Sequence, residues 1–436
     1  MDVARALYTL AGSALLPLLP LRLWWRGRRE PGYRQAWGER FGRYRAAAPA
    51  TAVWWVHAVS VGETRAALPL LQHLRRSYPD SAIVLTHMTA TGREAGRALY
   101  GDTVMQAWLP YDLPFAVEAF LDHFHPAAGF LLETELWPNL IASAAARNIP
   151  VYLINARLSE RSAAGYRRVA GLTRPMLSRL AGVAAQSAAD EARLAALGAR
   201  KTVVTGNLKF DITIPESARA LGAEFAQRFG SGRPVWVAAS TREGEETLLL
   251  DALERSPLPS EALLVIVPRH PQRFAAVAEL LRERGIPFVR RSDNLPVPAD
   301  VRVVVGDSMG ELFAYYAAAD LAFVGGSLVP LGGQNLIEPL ALGVPVLIGP
   351  HTFNFTEASA GAVTAGAARI VTDADALVAA AREILSSQAR RQAMSSAARA
   401  FHAAHQGAAG RLWSWLAPQL DCTPQGASGP RRADRG

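Results

Sequence analysis

The stretch LAFVGGSLVPLGGQNLIEPLALGVPVLIGP, residues 321–350, decides the fold. Leu321–Val324 is a short apolar run of strand length. A glycine-rich loop follows, then helical spacing from Asn335 to Leu342, then a second short strand at Pro345–Ile348. Working outward, the same alternation repeats. Upstream strands are expected at Val301–Val305, Leu263–Val267 and Val235–Ala238, with helices at Gln272–Arg284 and Gly310–Ala319 between them. In the first half, strands are expected at Ala52–His57, Ala82–Thr86, Ala128–Leu132, Val151–Ile154 and Thr202–Thr205, with helices such as Thr64–Arg75 and Trp137–Arg147. Strand and helix in alternation imply parallel sheets covered by helices on both faces. In open sheets of this kind ligands sit beyond the carboxyl ends of the strands, and two such domains facing one another make a cleft.

A chain of 436 residues is long for one core and reads as two domains. The break is expected in "DITIPES". The expected organisation is an anchor at 1–25, one Rossmann-like domain at 26–213, a second at 214–420 and a disordered tail at 421–436. The single cysteine, Cys422, excludes a disulfide within the chain. Ala6 to Leu21 is an uncharged, mostly apolar run, followed by Trp24 and Trp25. Residues 22–45 hold eight arginines against Glu30 and Glu39, a net +6 of the chain's +8. A nucleic-acid partner is therefore not expected, because its basic face would lie on the folded body. A greasy run bordered by tryptophan and arginine points to an anionic membrane surface, with the body on the cytoplasmic side. The element either spans the bilayer, kinked at Pro17 and Pro20, or lies in the interface.

Several constellations carry chemistry. In His57-Ala-Val-Ser-Val-Gly-Glu63 a strand ends and a carboxylate lies in the first turn of a helix. Glu63 is either a general base or a partner of the helix dipole. In "FLLETELWPN" another apolar strand ends in Glu133 and Glu135; two acids at the strand ends of one sheet could meet, and like charges held close raise one pKa. Lys209, in "GNLKFD", is one of only two lysines against 44 arginines. It is either a compact phosphate contact or a surface residue. The second half has four loops of phosphate-binding type. They are "AASTREGEE" with Ser240, "VPRHPQRF" with Pro268 and Arg269, "GDSMGEL" with Met309, Gly310 and Glu311, and the loop before Asn335. Glu338, one turn on, could accept hydrogen bonds from ribose hydroxyls. The close pair His123 and His125 is better read as capping or solvated than as a metal site.

Together these strings resemble the 3-deoxy-D-manno-octulosonic acid (Kdo) transferases of lipopolysaccharide synthesis. "HAVSVGE", "ETELWPN", "GNLKFD", "VPRHPQRF" and "NLIEPLALGVPV" match in order, and the likeness runs over roughly residues 1–415. The resemblance implies the two-domain glycosyltransferase-B fold. It also implies transfer of Kdo from CMP-Kdo to the lipid A precursor, with inversion and without metal or other cofactor, at the bacterial inner membrane. By resemblance Glu63 is the base, and Glu133 and Lys209 serve transition-state stabilisation. The CMP site maps onto Pro268 and Arg269, onto Met309, Gly310 and Glu311, and onto Asn335, Leu336, Ile337 and Glu338, with Ser240 a further phosphate contact. Arg242 departs from the pattern, where a histidine is expected. Competing readings are a membrane-associated glycosyltransferase-B enzyme using a UDP or ADP sugar, and a non-catalytic glycolipid-binding tether.

Overall fold

The computed structural model describes residues 2–230 and 232–421. The expected tail lies, apart from Asp421, outside the described residues, as does Cys422. The chain forms two compact units. One is residues 1–211 joined by the chain from Gly407 onward; the other is Ile212–Gln406.

The first domain is built on seven strands: β1 Val53–His57, β2 Ala82–His87, β3 Met105–Trp108, β4 Pro126–Leu132, β5 Val151–Ala156, β6 Gly182–Ala185 and β7 Thr202–Val204. They pair in the order β3-β2-β1-β4-β5-β6-β7, and every pairing is parallel. Successive side chains of a strand point to opposite faces, so both faces must be apolar when both are covered. β1 shows this directly. Val53 and Trp55 join one core with Leu131, Leu153 and Phe120. Trp54 and Val56 join the other with Phe130, Tyr152 and Leu70. Trp55 lies so close to β4 that a Cβ at Gly129 would come within 2.5 Å of its ring, so this position requires glycine.

The second core also takes Leu412, Leu416 and Leu420 from the helix Ala408–Asp421. Asp211 accepts the amide N–H groups of Gly407 and Ala409, and the Tyr78 hydroxyl donates to Asp421 at 2.8 Å. Residues 407–421 therefore belong with the first domain, a correction to the expected 214–420 unit. No element is expected there from the sequence; the leucines of this helix in the first domain's core and the Asp211 carboxylate at its start fix it to that domain.

The N-terminal run is also corrected. It is two helices, Val3–Ala14 and Leu18–Arg29, bent by 58° at the turn between them. Pro17 has no N–H to continue the first helix, and its ring would clash with the preceding turn. Among the described residues no single helix is long and apolar enough to cross a membrane, although this bent pair passes by length and composition. The first helix leans on the domain: the Thr9 hydroxyl donates to Asn139 Oδ1 at 3.1 Å, and the Tyr8 hydroxyl bonds the Asp112 carboxylate. Leu7 and Leu10 on the first helix, Leu15 after it, and Leu18 and Leu21 on the second are exposed.

The second domain repeats the plan with β8 Val235–Thr241, β9 Leu263–Pro268, β10 Phe288–Arg290, β11 Val303–Val305, β12 Leu321–Val324, β13 Val346–Ile348 and β14 Ala368–Ile370. The order is β10-β11-β9-β8-β12-β13-β14, again all parallel. In each sheet the direction of winding reverses between two central neighbours: β1 and β4 in the first, β8 and β12 in the second. Loops leaving the carboxyl ends there diverge and open a crevice, which is where ligands bind in such sheets.

Candidate functional site

In the first domain, β1 ends at His57 and the chain turns into the short helix Val61–Ala66. Ser60 caps this helix, its Oγ accepting from the Glu63 amide at 3.3 Å. The Glu63 carboxylate folds back, taking the Val59 N–H on Oε2 at 2.9 Å and the Ser60 hydroxyl on Oε1 at 2.8 Å. Two hydrogen bonds leave about half of a carboxylate's four acceptor positions unused. Glu63 is buried, and that burial is the main force raising its pKa above the ordinary glutamate value. The charge of Glu133 raises it further, while the bonds from Val59 and Ser60 pull it back. The two acids do share one electrostatic neighbourhood, as their strand-end positions allowed.

Glu133 follows β4 with its backbone in the left-handed region, φ 59°. Such a conformation costs a non-glycine residue about 1–2 kcal/mol, and here it turns the side chain toward two cations. Lys209 Nζ donates to Glu133 Oε1 at 2.6 Å, and Arg157 Nε lies 3.1 Å from Oε2. Asn155, fully buried, fixes the lysine's loop by accepting the Leu208 N–H at 2.9 Å. Lys209 is thus no loose surface residue. Glu135 lies apart from this pair. Its Oε2 accepts from the Trp137 indole at 3.0 Å and faces His57 Nε2 at 3.7 Å.

Sequence reasoning missed the segment that cradles the Glu63 loop. Thr89 Oγ1 donates to the Val59 carbonyl at 2.6 Å, and a Cβ at Gly92 would meet that same carbonyl at 2.6 Å. The available signal was a threonine followed three residues later by glycine, right after β2. Arg40 is a further correction. Counted with a surface collar, it is in fact buried, its guanidinium 3.9 Å over the Trp108 ring.

In the second domain the loops after β8 and β12 meet. Ser240 stands in the left-handed region, φ 55°, and Gly325 must be glycine because a Cβ there would lie 2.6 Å from the Ser240 carbonyl. Both loops are organised by Glu245, another residue whose role went unread. Its Oε2 accepts the amides of Arg242 and Gly326, and its Oε1 those of Ser327 and Leu328, at 2.6–3.1 Å. Burial is the main force raising its pKa. Glu246 is engaged likewise, by the Thr241 hydroxyl at 2.8 Å and Arg273 at 3.0 Å.

Pro268 ends β9, and Arg269 Nε beside it reaches Gln334 Oε1 at 3.3 Å, tying that strand end to the loop after β12. Met309 is exposed next to Gly310, whose φ of 81° turns the loop. Glu311 is held by Arg291 at 3.0 Å and by the Ser308 hydroxyl at 2.6 Å. The helix expected from Asn335 begins later, at Ile337–Ala341. Asn335, one residue before the N-cap Leu336, accepts the Ile337 N–H and donates to Glu338 Oε1, both at 3.1 Å. Leu336 and Ile337 have fully buried side chains, so only their backbone can face a ligand. Among the described residues no group of three or more His, Cys, Asp or Glu side chains is arranged to hold a metal.

Comparison with known proteins adds identity to this geometry. Residues 35–212 match the family model for 3-deoxy-D-manno-octulosonic-acid transferase, and residues 248–401 that for glycosyl transferases group 1. A 3-deoxy-D-manno-octulosonic acid transferase of Bordetella pertussis is 46% identical, over 95% of this chain and 100% of its own. Its namesake from Haemophilus influenzae is 40% identical over 90% and 93%. Among solved structures, a UDP-GlcNAc 2-epimerase from Neisseria meningitidis aligns with TM-score 0.57 at 15% identity, covering 84% of this chain and 100% of that one. A glycosyltransferase from Rickettsia africae aligns with TM-score 0.57 at 14% identity, over 87% and 99%. At these identities the likeness is one of fold.

Proposed function

The chain belongs to the Kdo transferases, glycosyltransferases of lipopolysaccharide biosynthesis, and from that premise we propose that Glu63 is the base of an inverting transfer of Kdo from CMP-Kdo to the lipid A precursor. The observation that carries the proposal is the state of Glu63. It is buried, its pKa is raised, half its acceptor positions are unused, and it stands where the first sheet's winding reverses. A base works best with a pKa near the operating pH, and such placement moves a carboxylate in that direction. Glu63 takes the proton of the acceptor hydroxyl as its oxygen bonds the anomeric carbon and the bond to CMP breaks, inverting that centre. Lys209, locked on Glu133, supplies a fixed cation for charge developing in the transition state.

In this reading CMP is held by the second domain. Ser240, the backbone of residues 309–311 and 335–337, and Arg269 take the phosphate, and Glu338 takes the ribose. The leaving phosphate is stabilised by N–H groups and Arg269 without metal. We place the protein at the cytoplasmic face of the inner membrane; the exposed leucines of the N-terminal helices and the nearby Trp24 and Trp25 support that placement. The test is to supply purified full-length protein with CMP-Kdo and the lipid A precursor in detergent, with and without EDTA. CMP release with glycolipid product in both arms is expected. Use of a UDP or ADP sugar instead, or loss of activity in EDTA, would overturn the reading.

A further inference from the structure

Beside the Glu63 loop the first domain holds a cavity of about 250 Å³. Arg22, Arg26 and Arg40 line it, with Tyr33 and Tyr111 between them, and Val59 forms part of its wall. Val59 is the residue whose N–H bonds the Glu63 carboxylate, so the cavity lies one residue from the base. Its charge is unbalanced. Among the described residues no carboxylate comes within 4 Å of any of the three guanidinium groups. Arg40 is 2% exposed. It donates to the Met88 carbonyl at 3.0 Å and lies over Trp108, but its Nε has no hydrogen-bond partner. Arg26 stands 4.4 Å from the centre of the Tyr33 ring.

The nearby acids are committed elsewhere. Glu39 accepts the Trp108 N–H at 2.8 Å and lies 3.4 Å from Arg93. Glu135, the one acid in the lining, is engaged by Trp137 and His57. Three cations against one acid leave the cavity wall two charges positive. Arg40 is the buried one, while Arg26 is half-buried and Arg22 exposed. A guanidinium buried with no carboxylate beside it is costly, and an anion in the cavity would offset that cost. Burial lowers the Arg40 pKa to about 10, which still leaves it charged at neutral pH. Guanidinium groups present paired N–H donors that match phosphate oxygens.

We propose that this cavity is a phosphate-recognising subsite for the sugar acceptor, with Arg22, Arg26 and Arg40 as its cations. The inference rests on the reading of Glu63 as the base that the acceptor must reach. It reassigns three of the arginines that the sequence grouped as a membrane collar.

The experiment compares the phosphorylated lipid A precursor with the same glycolipid after phosphatase treatment, in neutral detergent, on wild type and on the double variant Arg22→Gln, Arg26→Gln. Arg40 is left in place there because its burial makes the fold depend on it; Arg40→Lys is a second, separate variant. For wild type, KM for the dephosphorylated glycolipid should exceed that for the phosphorylated one by at least tenfold. In the double variant that preference should shrink to twofold or less, through a higher KM for the phosphorylated form, with KM for CMP-Kdo unchanged. Arg40→Lys should shrink it in the same direction. Sedimentation with phosphatidylglycerol vesicles separates the other source of phosphate, and binding by the double variant should stay within twofold of wild type. An unchanged preference in the double variant overturns the proposal, and so does a loss of vesicle binding with the preference intact. Absence of any transfer by the wild type would instead overturn the functional reading itself.

Discussion

Glu63 and Glu245 occupy the same seat in two sheets of one plan. Each follows the first strand of its domain, in the first turn of the next helix, where the winding reverses. Both are buried and both have raised pKa values, with burial the main cause. They differ in what they hold. Glu245 accepts four backbone amides, which fills its capacity, so its ionised form is locked into the loops after β8 and β12. Glu63 accepts two and keeps room for a proton. On the proposed function, the first domain keeps its acid for chemistry, and the second uses its acid to shape the loops assigned there to the nucleotide. Position within a fold therefore does not decide a carboxylate's role; the number of donors left pointing at it does.

Exchanging the two acids for glutamine should break the symmetry in opposite ways. Glu63→Gln should lower transfer by ~10²–10⁴, the range for a lost general base, while CMP affinity by calorimetry stays within twofold. Its stability at pH 8 should not fall. A raised native pKa contributes stability below the unfolded pKa that is lost as pH rises through the native one, so a neutral side chain removes a penalty there. Near-normal transfer by this variant would remove Glu63 from the chemistry. Glu245→Gln should do the reverse, costing ~1–3 kcal/mol of stability in urea unfolding, because the glutamine NH2 cannot accept and would face two of the four buried amide N–H groups. Its CMP affinity should fall as the loops loosen. An unchanged unfolding midpoint would mean those amides find other partners. Smaller effects are expected from side chains that contact ligand without shaping the loops. Arg269→Ala and Glu338→Ala should each weaken CMP binding by ~1.5–3 kcal/mol in titration, with the fold intact. Full affinity in both would move the nucleotide elsewhere.

Much of the fold was legible because strands covered on both faces are continuously apolar. Ten of the fourteen strands stand out that way, from Val53–His57 to Val346–Ile348. The four unread ones, β3, β6, β10 and β14, are three or four residues long, and three of them are sheet edges. β6 is Gly182-Val-Ala-Ala185, with little β-branched character to mark it. Glu63, Glu133, Lys209 and Arg269 were legible as polar residues at strand ends. Glu245 was not, because "GEE" reads as an ordinary helix start and three of its four amide partners lie more than eighty residues on. Arg40 was misplaced for a similar reason. Counting charge along the chain assigns it to a surface, and only the folded ring of Trp108 shows it inside.

The central claim, that Glu63 acts as the base, is tested most directly by the pH dependence of kcat/KM for the acceptor. Transfer needs the ionised carboxylate. Wild type should therefore lose activity as pH falls through a single apparent pKa above the ordinary glutamate value, and the residual activity of Glu63→Gln should lack that acid limb. The same acid limb in the Glu63→Gln profile would contradict the account, because the proton would then be leaving to another group.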